Sequence, residues 1–134
     1  MVEINILYQG ELRCSANHPS GTEIFTDAPK DNHGKGESFS PTDLVATALG
    51  TCIATTMGIL AQKMRIDIAG TKVKVIKEMV AEPVRRIGRL VTTIEVPTKH
   101  DESQKERLMR AAEICPVHAS LHPDVQKPIE WVWA

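Results

Sequence analysis

The sequence predicts an α+β fold in which helices and β-hairpins occupy separate stretches of the chain. Short strand-like runs separated by turn residues fill residues 3–27 and recur over residues 71–97. An uncharged run at residues 44–62 indicates a helix buried on most sides, and a polar run at residues 102–113 carries its apolar positions at helical spacing. The predicted order is βββ, α, ββ, α, β, and such segregation of helices from hairpins is typical of α+β domains.

Three short strands are predicted at the N-terminus. EINIL at residues 3–7 ends at QG, ELRCSA at 11–16 ends at NHPSG, and TEIFTD at 22–27 ends at APKDNHGKG. Turn residues between short strand-like runs favour an antiparallel β-meander. Arg13 and Cys14 alternate in the second strand, so one faces inward and the other outward. We expect Cys14 to be the core residue.

A long central helix is predicted next, and its start is well marked. Ser40 can cap it, Pro41 suits the first helical position, and Asp43 completes a capping box. We expect the end near Met64. The uncharged run approaches the length of a membrane span. Its threonines and glycines make it too weakly apolar for one, so we predict a helix buried on most sides.

Two faces of this helix differ in character. Small residues recur at every fourth position: Ala46, Gly50, Ala54 and Gly58. Side chains this small predict that another helix packs closely along this line. Cys52 lies about 200° around the helix from Gly50. The thiol shares its face with Ala48, Leu49, Thr55, Thr56 and Ile59.

The second half of the chain completes the predicted fold. TKVKVIKEMV at 71–80 and RLVTTIEVP at 89–97 form a hairpin across AEPVRRIG. A polar helix follows over Glu102 to Glu113. Pro116 suits a first turn and therefore starts a second, short helix. In KPIEWVWA, Ile129, Trp131 and Trp133 alternate with Glu130 and Val132, which predicts a closing strand.

Composition excludes several classes of protein. The 134 residues fit one domain, and 16 basic against 17 acidic residues provide no basic field for nucleic acid or an anionic membrane. The first residues, MVEINILYQG, lack the basic cluster and apolar run of a signal peptide. Three cysteines are too few for a secreted disulfide scaffold. We therefore expect a cytoplasmic protein with reduced thiols and no membrane partner.

Cys52 and Cys115 admit three interpretations: core filler, metal ligands or a redox pair. Free cysteine is often simply a small buried hydrophobe. Cys115 precedes Pro116 and is a candidate N-cap, where the helix terminus would lower the pKa of its thiol. As metal ligands, Cys52, Cys115, His118 and His122 would form a Cys₂His₂ set. Pro123 ends the helix beside that set, which weakens the metal hypothesis.

The two segments SPTDLVATALGTC and EICPVHASLHPDV resemble the OsmC/Ohr family of thiol-dependent peroxidases, in particular its OsmC-related branch. The resemblance covers nearly the whole chain and implies one OsmC-like domain over residues 1–134. It also implies an intertwined homodimer with both sites at the subunit interface. The implied activity is reduction of organic hydroperoxides, with an external dithiol, lipoyl-type or other, as reductant. No cofactor and no metal are implied.

Residue roles follow from the same resemblance. Cys52 matches the peroxidatic cysteine and Cys115 the resolving cysteine. Arg13 is the candidate for the family's arginine. Organic-hydroperoxide enzymes hold a glutamate ten positions before the cysteine, where this chain has Thr42. The nearest acids are Asp43 and Glu37, and because Asp43 is expected in the helix cap, Glu37 is the preferred substitute.

Other features support or compete with this interpretation. Leu49, Ile53 and Met57 give Cys52 apolar neighbours that would favour an alkyl hydroperoxide. The missing glutamate keeps an alternative open, a redox-sensing or small-molecule-binding protein without efficient turnover. We expect three arginines of the central loop region to form a solvated face, with an access route for anionic fatty peroxides as the alternative: Arg85, Arg86 and Arg89.

Overall fold

A computed structural model describes all 134 residues. The chain forms two compact units, Met1–Val45 and Ala46–Ala134. The assignment of residues 1–134 to one domain stays a prediction.

The first unit contains an antiparallel three-stranded sheet in the order β1–β2–β3. Its strands are β1 (Asn5–Gly10), β2 (Arg13–Asn17) and β3 (Glu23–Asp27), followed by a 3₁₀ turn at Lys30–Asn32. The predicted meander is therefore confirmed. The β1–β2 turn is tight, with positive φ at Gly10, Glu11 and Leu12.

Cys14 is not a core residue, so that prediction was wrong. It is half-buried, whereas its neighbour Ser15 is 4% exposed. The register pairs Cys14 with Tyr8 and Ala16 with Ile6. Ile6 and Tyr8 are largely exposed. This side of the sheet is therefore an open apolar face, and Cys14 lies within it.

The second unit contains most of the central helix α1 (Pro41–Met64), which begins and ends where the sequence predicted. The other elements are β4 (Lys72–Val80), β5 (Arg86–Val96), α2 (Glu102–Glu113), α3 (Pro116–Ser120) and β6 (Ile129–Trp133). The sheet order is β4–β5–β6, with β4 antiparallel and β6 parallel to β5. Strand β5 begins three residues earlier than predicted because Arg86 pairs with Val80.

The core of this unit lies between the helices and one face of the sheet. Alternate residues of β5 are buried, and among them Leu90 and Ile94 are fully inaccessible. From the helices, the buried side chains are Leu49, Ile53, Met57, Leu108 and Ala112. At the edge of the sheet, Trp131 and Trp133 stack with their ring centroids 5.1 Å apart. This α+β arrangement agrees with the predicted fold class.

The small-residue line of α1 packs against a strand and not against the helix that its spacing predicted. A Cβ added at Gly50 would lie 3.0 Å from Cγ2 of Val75 and 3.4 Å from Cγ1 of Val73, both in β4. At Gly58 an added Cβ would meet no atom within 4 Å. Only the first part of the line is therefore a close packing surface within the chain.

By length and composition, α1 is the one helix that could cross a membrane, since its most apolar window has a mean hydropathy of 1.8. The core helix of a soluble protein passes the same test. About a third of that window (33%) is buried within the chain. The absence of a membrane partner stays a prediction.

Candidate functional site

Cys52 projects from the middle of α1 and is half-buried. The apolar residues predicted to surround its thiol, Leu49, Ile53 and Met57, are almost completely buried in the core. The accessible apolar side chain on the thiol's own face is Ile59, two turns along the helix and 52% exposed. Cys52 is thus placed between the packed core and solvent.

Cys115 is the N-cap of α3, as predicted. Its backbone is extended, with φ −62° and ψ 147°, and Pro116 occupies the first turn. The backbone N–H of His118 donates a hydrogen bond to Cys115 Sγ, with an N–S distance of 3.4 Å. The residue is fully buried. A thiol in the place of the usual hydroxyl or carboxylate cap therefore faces the interior.

The fold brings Cys52 and Cys115 together as two free thiols, close enough for Cys52 to influence the pKa of Cys115. The pKa of Cys115 is raised, first by burial and further by the neighbouring Cys52 sulfur. The N–H of His118 acts in the opposite direction. The expected lowering by the helix terminus was therefore wrong, because desolvation outweighs the hydrogen bonds from the backbone N–H groups of Val117 and His118.

The proposed Cys₂His₂ set does not form a metal centre in this fold. No group of three or more His, Cys, Asp or Glu side chains is arranged to hold a metal ion. His118 is half-buried, and its pKa is lowered by burial and by the charge of Lys127. His122 lies beside Asp124, with 3.7 Å between Nδ1 and Oδ2.

A second cluster of candidate residues lies in the first unit. Arg13 Nη1 donates to Glu37 Oε2 at 3.0 Å, and this hydrogen bond is the main cause of the raised pKa of Arg13. Asp43 is engaged in the helix cap, since its Oδ2 accepts the N–H of Ser40 at 2.9 Å. Thr42 also belongs to the cap, with its hydroxyl 3.2 Å from that of Ser40. Glu37 is therefore the acid that meets the arginine, while the catalytic roles of both stay predictions.

Asp27 is a member of this cluster that sequence reasoning missed. It is 1% exposed and lies opposite Arg13 in the β2–β3 register. The backbone N–H of Glu37 donates to its Oδ2 at 3.1 Å. The pKa of Asp27 is lowered, mainly by this hydrogen bond and also by the charge of Arg13. An aspartate at a strand end was the visible signal, but only the register shows that it faces an arginine.

An open groove of about 330 Å³ follows the Cys52 face of α1 toward α2. Eight residues line it: Thr56, Ile59, Leu60, Lys63, Arg107, Arg110, Ala111 and Ile114. Thr56 lies one turn after Cys52, and Ile114, which is 73% exposed, directly precedes Cys115. The groove therefore combines apolar side chains with three cationic ones, and residues near both cysteines in the sequence line it.

The arginines of the central loop region lie at the surface. Arg85 and Arg89 are exposed and Arg86 is half-buried. Arg89 Nε is 3.4 Å from Glu78 Oε2 across the hairpin. Arg86 donates to the carbonyl of Ile87 at 3.4 Å. These contacts are those of a solvated β-hairpin.

The fold is shared with known proteins. A family profile described as OsmC-like protein matches residues 34–129. A Psychrobacter arcticus 273-4 protein, proposed to be an osmotic stress induced and detoxification response protein, is 45% identical with a TM-score of 0.92. The alignment covers 98% of this chain and 96% of that one.

More distant structures share the fold. The organic hydroperoxide resistance protein OsmC of Legionella pneumophila is 15% identical, with a TM-score of 0.79 and coverage of 98% and 96% of the two chains. OhrB of Bacillus subtilis, an organic hydroperoxide resistance protein, is 16% identical, with a TM-score of 0.71 and coverage of 98% and 97%. No curated protein sequence matches the chain. The profile spans both cysteine motifs and most of the sequence, and the chain belongs to the OsmC-like protein family.

Proposed function

We propose that this protein is a thiol-dependent peroxidase that reduces organic hydroperoxides, with hydrogen peroxide as a poorer substrate. The observation that carries the proposal is the unequal thiol pair: a half-buried Cys52 and, beside it, a fully buried Cys115 whose pKa is raised. Two relatives of this fold, from Legionella pneumophila and Bacillus subtilis, are organic hydroperoxide resistance proteins. We propose the corresponding activity for this chain.

In the first step, the Cys52 thiolate attacks one oxygen of the hydroperoxide. The O–O bond breaks, the sulfur is oxidised to sulfenic acid, and the leaving alkoxide takes a proton to become an alcohol. Cys115 keeps its proton because burial raises the pKa of its thiol. The S–H of Cys115 can therefore donate a hydrogen bond to the Cys52 thiolate without competing as a nucleophile.

In the second step, Cys115 condenses with the sulfenic acid. A Cys52–Cys115 disulfide forms and one water molecule leaves, so both electrons for the reduced peroxide come from the thiol pair. The effect of Cys52 on the pKa of Cys115 supports this pairing, because a disulfide forms only between cysteines that lie close together. An external dithiol, lipoyl-type or other, then reduces the bond by thiol–disulfide exchange.

Arg13 and Glu37 are the proposed electrostatic part of the site. A guanidinium stabilises negative charge on a thiolate or a leaving oxygen, and a carboxylate hydrogen bond fixes its direction. Arg13 carries such a bond at 3.0 Å. Their pairing supports the use of Glu37 in place of the glutamate that the family holds at the position of Thr42.

The groove beside the thiol pair supports an organic substrate. Its exposed side chains Ile59 and Ile114 offer an apolar surface close to the cysteines. An alkyl or aryl hydroperoxide gains from covering this surface, whereas hydrogen peroxide has no apolar part. We propose in addition that the working form is a cytoplasmic homodimer, which would cover part of the apolar surface that one chain leaves exposed.

The decisive test compares two serine variants with cumene hydroperoxide and dihydrolipoamide. Cys52→Ser should abolish peroxide consumption, because a serine hydroxyl does not ionise at neutral pH. Cys115→Ser should consume about one equivalent in a burst and then stall, since the first attack needs only Cys52. Excess peroxide should then add oxygen irreversibly to Cys52, which peptide mass spectrometry detects.

The serine substitution at Cys115 also serves as its own folding control. Serine is a good N-cap, so α3 should remain formed and a lost burst could not be attributed to misfolding. Hydrogen peroxide should oxidise wild-type protein more slowly than cumene hydroperoxide. A burst retained by Cys52→Ser and lost in Cys115→Ser would reverse the two roles.

A redox sensor without efficient turnover is a second candidate function, favoured by one observation. The position of the family's glutamate is occupied by Thr42, whose hydroxyl is engaged with the helix cap. A sensor would form the Cys52–Cys115 disulfide once and would not cycle at a useful rate. Sustained peroxide consumption with dihydrolipoamide would exclude this candidate.

A further inference from the structure

The buried carboxylate of Asp27 is unusual within the first unit. It lies at the end of β3 with 1% of its surface exposed, and a charged side chain is costly to bury unless it is fully paired. Its partners are backbone N–H groups of Ala28, Lys35 and Glu37, with the guanidinium of Arg13 nearby. The Asp27 side chain therefore accepts hydrogen bonds from both ends of the segment that follows β3.

That segment, residues 28–37, is closed by its own backbone. Gly34 donates to the carbonyl of Pro29 at 3.0 Å, and Gly36 donates to that of Ala28 at 3.2 Å. A Cβ at Gly34 would clash with the Ala28 carbonyl, so the close crossing requires glycine. The loop ends at Glu37, and the Asp27 carboxylate therefore fixes the backbone from which the Glu37 side chain projects.

Arg13 is the cation that interacts with these carboxylates. Its guanidinium donates to Glu37, while Asp27 and Glu11 add attraction from the same unit. A neutral side chain could accept the loop N–H groups almost as well. A carboxylate in this place adds something that loop closure does not need, namely a fixed negative charge opposite the arginine.

We propose that Asp27 is a positioning residue for peroxide reduction: it fixes the Glu37 backbone and so holds the Arg13 guanidinium in one orientation. The inference rests on the proposed peroxidase function, in which Arg13 stabilises developing negative charge. Misplacing such a group by about 1 Å can cost roughly a hundredfold in rate. Asp27 therefore acts on the reaction through Glu37 and Arg13 and not by touching the substrate.

The test is a double-mutant cycle on the rate constant for Cys52 oxidation by cumene hydroperoxide. Asp27→Asn should lower this rate constant by about tenfold or more. Glu37→Gln should lower it too, and the double variant should be close to Glu37→Gln alone, because both residues act through one arginine. The proposal would be overturned if the fold decreases of the two single variants multiplied in the double variant. It would also be overturned if a folded Asp27→Asn variant reacted at the wild-type rate.

Asp67→Asn is the matched control. Asp67 Oδ1 accepts the backbone N–H of Ala69 at 2.8 Å in a loop of the other unit, so the substitution makes the same chemical change away from this cluster. Its rate constant should equal that of wild type. If Asp67→Asn lowered the rate constant as much as Asp27→Asn, the removal of any loop carboxylate would explain the decrease, and the proposal would fail.

A second measurement separates this inference from the peroxidase proposal. Hydrogen exchange of the Arg13 Nε–H, followed by NMR, should be faster in Asp27→Asn and unchanged in Asp67→Asn. If wild-type protein consumed no peroxide, the peroxidase function would fail, while this exchange rate would still decide whether Asp27 orders Arg13.

A direct titration decides the case in which Asp27→Asn does not fold. In wild-type protein the Arg13 Nε–H signal should change with the protonation of Asp27, followed through its own carboxyl carbon. Glu37 and Glu11 also face Arg13. A signal that follows only those two acids would overturn the proposal.

Discussion

Among single residues, Cys115 best illustrates how burial decides reactivity. It caps a helix, yet its accessible surface is zero and the pKa of its thiol is raised. At neutral pH such a thiol is both unreachable and protonated, and only the thiolate reacts with electrophiles. This supports the proposal that the half-buried Cys52 is the thiol that reacts first.

We predict that iodoacetamide labels Cys115 more slowly than Cys14 or Cys52 in the reduced protein at pH 7. Peptide mapping by mass spectrometry over a time course measures the three rates. The control is the same reaction in denaturant, where the three rates should converge. Labelling of Cys115 in the folded protein at the rate of Cys14 would contradict the assignment of a buried, protonated resolving thiol.

Asp27 should make the protein sensitive to acid. Its pKa is lower in the folded chain than the value of about 3.9 of an unfolded aspartate. The ionised group therefore stabilises the fold above about pH 4, and this contribution is lost as pH falls through the lower, folded pKa. Denaturant unfolding of wild type and Asp27→Asn at several pH values should show the difference between them shrinking below about pH 4. A constant difference across this range would contradict the prediction.

At the level of secondary structure, the central helix is the element that the sequence describes most completely. Its start rests on a capping box in which Ser40 and Asp43 exchange side-chain and backbone hydrogen bonds. Those bonds are local, so the residue types were sufficient to predict them. The neighbours of its small residues are not local, and at Gly50 they are strand residues and not the predicted helix.

Gly50 and Gly58 form a matched pair for testing this packing. Gly58→Ala should raise the free energy of unfolding by about 0.5–1 kcal/mol, because alanine is the better helix former and its Cβ would meet no atom. The free energy of unfolding of Gly50→Ala should be lower than that of Gly58→Ala by about 1 kcal/mol or more, because the Cβ of Ala at position 50 would press on Val75. Denaturant titration of both variants measures the difference. If Gly58→Ala were equally harmful, the space beside it would be filled by something outside this chain, such as a second copy.

For the whole molecule, exposed apolar surface is the feature that one chain leaves unexplained. Ile6 and Tyr8 of β1 and Ile24 of β3 lie on one open sheet face and are 68%, 60% and 44% exposed. Exposed apolar side chains grouped on one face are typical of a protein–protein interface. Contact with a second copy would remove this surface from water.

We predict a dimer at micromolar concentration by sedimentation velocity. Ile6→Lys should weaken the dimer by at least about tenfold, since the interface would then have to bury an unpaired lysine charge. Val84→Lys is the control, because Val84 is 64% exposed in the loop between β4 and β5 and outside this face. A stable wild-type monomer would contradict the homodimer.

The sequence alone determined the features that depend on neighbours along the chain. The order of elements, the bounds of α1 and α2, the cap at Cys115 and the two cysteine motifs all follow from residue types within a few positions of one another. The family resemblance rests on those same motifs, and the family profile matches across them. Local hydrogen bonds and helical spacing can be predicted from the sequence without a structure.

Only the tertiary structure decided what depends on residues distant in sequence. The pKa of Cys115 rises because the fold buries it beside Cys52, and the helix terminus that predicted a lower value is the smaller effect. Cys14 lies on an open face because of the strand register, and Asp27 meets Arg13 and Glu37 for the same reason. Burial and register arise from the whole packing of a unit, so no short stretch of sequence contains them.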